Sequence, residues 1–255
     1  MSSRLVALSA LLPLVTGCGA LHDGSRPAAT PQRPTLSVDT NTTAQGTFEL
    51  ESGVAFDPDS TFSAPTTLKW GAGERTELFV SASLYDWAEL PDGDEVSSFG
   101  DTFVGARQRF LELENGVAGA LQLSTKIPTA EEGEGLGNGE HDFFIAGSLS
   151  ASPSKEVFLW LFYEAGLLGD PDDSGNDVQH SFSVNGSKTF DGVLAIFGEV
   201  ATIDGPDGYD PTFGTIGVQH IIAPSLVWDA GFVVGFNDDA QDLQFVVGFT
   251  SNLGQ

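Results

Sequence analysis

The chain is 255 residues long, with 36 Asp or Glu against 10 Lys or Arg and a formal net charge of −26. At 40% hydrophobic and 18% charged residues it is too apolar for a disordered acidic chain, and its 31 glycines argue against a helical bundle. No stretch carries the positive field that nucleic acid requires, and a single Cys excludes a disulfide framework or a thiolate-rich zinc site.

The chain opens Met1-Ser2-Ser3-Arg4, followed by an uncharged apolar run over 5–17. That run falls short of the about 20 residues a membrane-spanning helix needs and suits a secretory leader. It ends Val15-Thr16-Gly17-Cys18, a close match to the bacterial lipobox, whose cysteine is lipidated and becomes the mature N-terminus. Ordinary cleavage after Ala20 is the competing reading, and both predict export. Residues 1–18 are therefore assigned to a signal peptide, with Cys18 as the lipidation site. Residues 19–46, where Pro27, Pro31 and Pro34 sit among Ser, Thr, Ala and Gln without periodicity, are expected to form a disordered tether.

From Thr47 the pattern becomes strands separated by Gly/Asp/Pro-rich turns. Alternation predicts twelve strands, at 47–56, 64–70, 76–85, 101–111, 117–126, 142–151, 157–166, 178–187, 192–201, 210–221, 226–236 and 243–251. Leu121 and Leu123 oppose Gln122, Ser124 and Lys126; Leu243, Phe245, Val247 and Phe249 oppose Gln244, Gly248 and Thr250. Short connections alternate with long ones, as in an outer-membrane barrel. The six long connections with their flanking residues hold 23 Asp or Glu and no Lys or Arg. If these loops face outward, the exterior meets a carboxylate surface.

A soluble sandwich also alternates, but it keeps one strand face wet. Here one face is Leu, Val, Phe, Ile and Trp in strand after strand, while the other is small or polar with scattered charge. The expected fold is an all-β, closed antiparallel transmembrane barrel of about 12 strands over 47–255, since in lipid a strand protein must close completely. The charged face supplies Glu49, Glu51, Lys69, Glu77, Arg107, Arg109, Glu199 and Asp229 as candidates for a lumen wall. On neighbouring strands these alternate in sign and can pair across the ladder. They either brace the barrel or form a charged constriction that selects solutes.

Several segments resemble a known family, the outer-membrane barrels grouped under the MetA pathway of phenol degradation and often described as transporters. The resemblance lies in Phe48-Glu49-Leu50-Glu51-Ser52-Gly53, in Leu68-Lys69-Trp70-Gly71 leading into Thr76-Glu77-Leu78, and in the run Gly100 to Phe110. Its clearest part is Leu123-Ser124-Thr125-Lys126-Ile127-Pro128-Thr129, followed by a Gly-rich loop and Asp142. Membership would imply an outer-membrane location and passage of small solutes, with lipid, lipopolysaccharide and the barrel-assembly machinery as partners. Three features depart from the family. Ala130 stands where glycine is common, the last residues lack the terminal aromatic that the assembly machinery reads, leaving Phe249 as the nearest, and a lipidated N-terminus is unusual.

Catalytic and cofactor motifs are sparse, and neither an enzyme nor a cofactor is expected. There is no Gly-x-Ser-x-Gly elbow and no phosphate-binding glycine loop. A hydrolase would need His141 with a serine such as Ser124 or Ser148, and no local pairing supports that. The run from Asp170 approaches a calcium loop, with Asp170, Asp172 and Ser174 as candidate ligands, but lacks the closing Glu.

Overall fold

The computed structural model describes residues 26–255, apart from 58–59, 91–92, 131–135 and 170–175. The expected signal peptide with Cys18, residues 19–25 of the expected tether, and the calcium candidates Asp170, Asp172 and Ser174 lie outside the described residues.

The chain forms β1 (Phe48–Asp57), β2 (Thr61–Gly73), β3 (Thr76–Glu89), β4 (Glu95–Ser98), β5 (Thr102–Glu112), β6 (Val117–Ile127) and β7 (Asp142–Ala151). It continues through β8 (Val157–Gly169), β9 (Asn176–Phe190), β10 (Leu194–Asp204), β11 (Thr212–Ala223), β12 (Leu226–Gly235) and β13 (Leu243–Gly254). All ladders are antiparallel; each strand pairs with its sequence neighbours, except that β3 passes the short β4 to pair with β5, and β1 pairs with both β2 and β13, which closes a ring. The twelve strands expected from alternation make that ring. The short β4 adds a hairpin arm on the outer end of β3, from Asp86↔Ser98 to Glu89↔Glu95. Closure pairs the backbone groups that a lipid-exposed edge would leave bare.

Turn chemistry explains the tight end of the barrel. Asp191 and Gly192, with φ of 50° and 69°, join β9 to β10, and Val193 N–H donates to Phe190 O at 3.1 Å. Positive φ at both central residues matches the twist of the flanking strands, and an Asp-Gly pair supplies it at low steric cost. Every connection at this end is short, and β1 begins and β13 ends there.

Burial is inverted relative to a water-soluble protein. Glu49 and Glu77 are 0% exposed and Lys69 2%, whereas Leu123 is 60%, Ile216 59% and Phe143 58% exposed. The outward Leu, Ile, Val and Phe side chains are therefore those that meet hydrocarbon. Aromatics sit toward both ends of this belt: Phe48 and Trp70, stacked at 6.3 Å, with Trp228 and Phe249 at the short-turn end, and Tyr85 and Phe143 toward the long loops. No helix among the described residues is long and apolar enough to cross a membrane.

One expectation is overturned. Residues 26–46 are not a disordered tether: they enter the lumen and circle its inner wall before joining β1. Ser37 is 0% exposed, and Thr40 and Thr43 are 1% exposed. The segment has little apolar surface with which to order itself, so composition alone reads as disorder. Its order comes from polar groups that meet a lumen in need of donors.

Candidate functional site in the barrel lumen

Strand alternation sends Glu49 and Glu51 of β1, Lys69 of β2, Glu77 of β3, Arg107 and Arg109 of β5, Glu199 of β10 and Asp229 of β12 to the same inner side. Two expected cross-ladder pairs are formed. Glu49 and Lys69 are register partners in direct ionic contact, and Glu77 faces Arg107 with 3.4 Å between Oε1 and Nη1. Lys69 also meets Glu51 at 2.8 Å.

These wall carboxylates outnumber their cations, and the luminal segment makes up the difference. Glu49 accepts the Thr30 N–H at 2.8 Å and its hydroxyl at 2.9 Å, and Glu51 accepts the Gln32 N–H at 2.7 Å. Lys69 donates to Thr30 O at 2.8 Å. Glu199 takes two consecutive backbone donors, Leu36 N at 2.9 Å and Ser37 N at 3.1 Å. Glu77 accepts both the N–H and the hydroxyl of Thr43 at 2.8 Å. Arg107 reaches Asn41 O at 3.3 Å while holding the Gln122 side chain through two donors, at 3.1 and 2.9 Å. Buried ions are stable only when each is paired and hydrogen-bonded, and charge-assisted bonds to backbone N–H groups are strong ones.

Arg33 occupies a seat cut for it. Gly53 of β1 and Gly248 of β13 face each other in register. A Cβ at Gly53 would lie 2.2 Å from Arg33 Nη2, and one at Gly248 would lie 2.7 Å from its Nε. The guanidinium lies in this notch 3.7 Å from Asp229, and Arg33 Nη2 donates to Val247 O at 3.4 Å. On the far wall, Trp160 Nε1 donates to Ser37 Oγ at 3.0 Å, Ser148 donates to Val38 O at 2.6 Å, and the Thr40 and Ser150 hydroxyls meet at 2.6 Å. The segment is also tied to itself. Gln32 and Asp39 exchange two hydrogen bonds, of 2.9 and 2.7 Å, and Asp39 accepts two more from Asn41.

Seven of the eight candidate residues thus hold the segment. The eighth, Arg109, pairs instead with the half-exposed Glu112 at 3.8 Å. Sequence reasoning missed the segment's own residues, Arg33, Gln32 and Asp39 above all, together with Gln122, Ser148, Ser150 and Trp160 of the wall. A signal was present: five acids against three bases on one inner face leave carboxylates that need donors from elsewhere.

The segment has a cavity on each side. The one toward the short turns is about 290 Å³, bounded by Thr30, Arg33, Phe158 and Trp160. The one toward the long loops is about 360 Å³, bounded by Lys69, Phe79, Arg107, Phe144 and Glu164. At the long-loop rim, Lys126 lies 2.7 Å from Asp142, 3.6 Å from Asp101 and 2.6 Å from Asn138. Asp101 accepts the Thr129 and Ala130 N–H groups at 3.0 Å each. The residues that carried the family resemblance therefore fasten the start of a long loop. Of the hydrolase candidates, Ser148 donates to Val38 O at 2.6 Å and His141 Nδ1 lies 3.2 Å from Lys126 O, while Ser124 lines the cavity toward the long loops. Among the described residues no group of three or more His, Cys, Asp or Glu is placed to hold a metal ion.

The sequence matches no family model and no curated protein. Solved structures do match in fold. An outer-membrane channel from Pseudomonas putida F1 superposes with a TM-score of 0.66 at 12% identity, over 86% of this chain and 100% of that one. The NanC porin gives 0.58 at 9% identity and the KdgM porin 0.57 at 12%, each over 80% of this chain and 98% of the other. At such identities the likeness is one of fold. The chain is a twelve-stranded closed barrel of the outer-membrane type, and the lipid-facing belt places it in that membrane.

Proposed function

We propose that the protein is a passive outer-membrane channel for small solutes, narrowed in the short-turn half of its bore by its own residues 26–46. The observation that carries this reading is the segment itself, seated on seven wall charges with a cavity on either side. A solute from the long-loop side would meet acidic loops first and the segment second. The loop carboxylates focus cations and repel anions, a bias that salt screens. KdgM, a porin of this fold, is described in complex with a disordered oligogalacturonate. Such an acidic oligomer is a poor match for the loops here, and neutral or cationic solutes fit better. The chain would then be a divergent relative of the phenol-pathway barrels, sharing their rim motif.

Planar-bilayer recording of the full chain tests the reading. A small conductance is expected, cation-selective at low salt and less so at high salt, and deletion of 26–46 should raise it several-fold. Anion preference at low salt, or a deletion that leaves conductance unchanged, would overturn it. The hydrogen-bonded segment also favours a second reading, a plugged barrel with an envelope-structural role. That reading requires the full chain to pass no current and no solute in liposome swelling.

A further inference from the structure

The outer luminal cavity contains one carboxylate that the wall does not explain. Glu164 of β8 points inward, with Ala146 of β7 and Ser181 of β9 as its register partners. Among the described residues it makes no hydrogen bond and no ion pair. The two cations of this cavity are already committed, Lys69 to Glu49 and Glu51, and Arg107 to Glu77, Gln122 and Asn41 O.

Glu164 shares this cavity with three phenylalanines, Phe79, Phe103 and Phe144, and with Gln179, the register partner of Gly166. Gly166 stands one inward position further along β8, and the Phe144 ring lies across it: a Cβ at Gly166 would sit 2.7 Å from Phe144 Cε1. Phe103 stands 6.1 Å from Phe144, centroid to centroid. Phe79 covers Gly105 in the same manner, with a Cβ there 2.4 Å from its Cζ. Two glycines thus let two rings lie flat against the wall and keep the cavity open. One unpaired carboxylate on a wall shared with three rings is a poor seat for a metal ion, which takes several carboxylate or carbonyl ligands, and among the described residues no group of three or more His, Cys, Asp or Glu is placed to hold one. It is a good site for an organic ammonium, whose charge is met by both carboxylate and ring quadrupole and whose body is apolar. With the lumen read as a solute path, as above, we propose that Glu164, Phe144, Phe79 and Phe103 bind a small cation with an aromatic or aliphatic body, sized to about 360 Å³.

Isothermal titration calorimetry on the detergent-solubilised full chain tests this with benzyltrimethylammonium, using benzyl alcohol as the neutral control. The cation should bind at least tenfold tighter than the alcohol, and Glu164→Gln should remove about that advantage, a factor of ten being about 1.4 kcal/mol. Phe144→Leu should weaken the cation more than the alcohol. Ser181→Lys, which places an ammonium beside Glu164, should block the cation even if Glu164→Gln fails to fold. Equal binding of both probes, or a cation affinity unchanged in Glu164→Gln or Ser181→Lys, overturns the site. Binding without conductance would sink the channel reading and leave the site standing. Conductance without discrimination would do the reverse.

Discussion

Lys69 shows what a single side chain does in this lumen. It is buried between Glu49 and Glu51 and caps Thr30 O, so replacing it leaves two carboxylates in a low-dielectric site with one countercharge gone. Breaking a buried pair from one side costs about 3–5 kcal/mol. Lys69→Met should therefore lower stability by that order in urea unfolding followed in lipid vesicles, and adding Glu49→Gln should restore much of it. Arg107 and Arg109 make a sharper contrast. Arg107→Glu removes the contact to Asn41 O and repels Glu77, so conductance should change. Arg109→Glu, at the rim against Glu112, should leave it within about twofold, as for surface pairs worth about 0–1 kcal/mol. Arg33→Ala empties the glycine notch. Losing about 1.4 kcal/mol of docking would raise the open fraction of the segment roughly tenfold, visible as faster proteolysis within 26–46. Which partner each charge takes is set by the register the structure shows. That Glu49, Lys69, Glu77 and Arg107 share one face and could pair across the ladder was legible in the sequence, because alternation fixes the face. Arg33 was not, because nothing local marks it: Asp229 and Gly248 are about two hundred residues away.

Among the elements, strand existence and face followed from the period-two pattern, while strand ends at the long-loop side did not. β2 starts at Thr61 rather than 64, and β3 and β8 run to Glu89 and Gly169, past 85 and 166. Beyond the hydrocarbon no apolar alternation is required, yet the ladder continues, so the signal stops before the strand does. Pro65 adds to this in β2: it cannot donate, and the register shifts beside it, between Ser63 and Pro65. The arm β4 is four residues of an acidic loop and has no pattern to read. The loops following β10 and β12 meet through Asp210 and Asp239, with Asn237 Nδ2 donating to Asp210 O at 2.7 Å. The Asp210 carboxyl is held above the ordinary aspartate range, chiefly by a hydrogen bond shared with Asp239 and further by that residue's charge. A raised carboxyl favours the joined loops below the usual aspartate pKa and loses that contribution as pH rises through the raised value. Spin labels at Asp207 and Ala240 should accordingly show a narrower distance distribution at pH 3 than at pH 7.

For the molecule as a whole, charge sorts along the barrel axis. The long loops are acidic, whereas Arg75 and Lys155 sit in the short turns and Lys69, Arg107 and Arg33 in the bore. The apolar belt outside was fully legible, and it sets solubility. Transferred to detergent-free buffer, the folded chain should aggregate rather than remain monomeric, as light scattering would show; a stable monomer would contradict the lipid-facing assignment. The occupied lumen was the part that composition hid, because a segment with few apolar residues orders itself only on partners supplied by the finished ring.

Arg33's seat also sets a chronology. Its notch is made by the first and last strands, and Asp229 lies on the last but one. Those surfaces exist together only after the C-terminal hairpin has zipped onto the N-terminal strand. The segment that leads the barrel is thus among the final pieces to settle, and its docking certifies that biogenesis is complete: a half-assembled sheet has no place to put it.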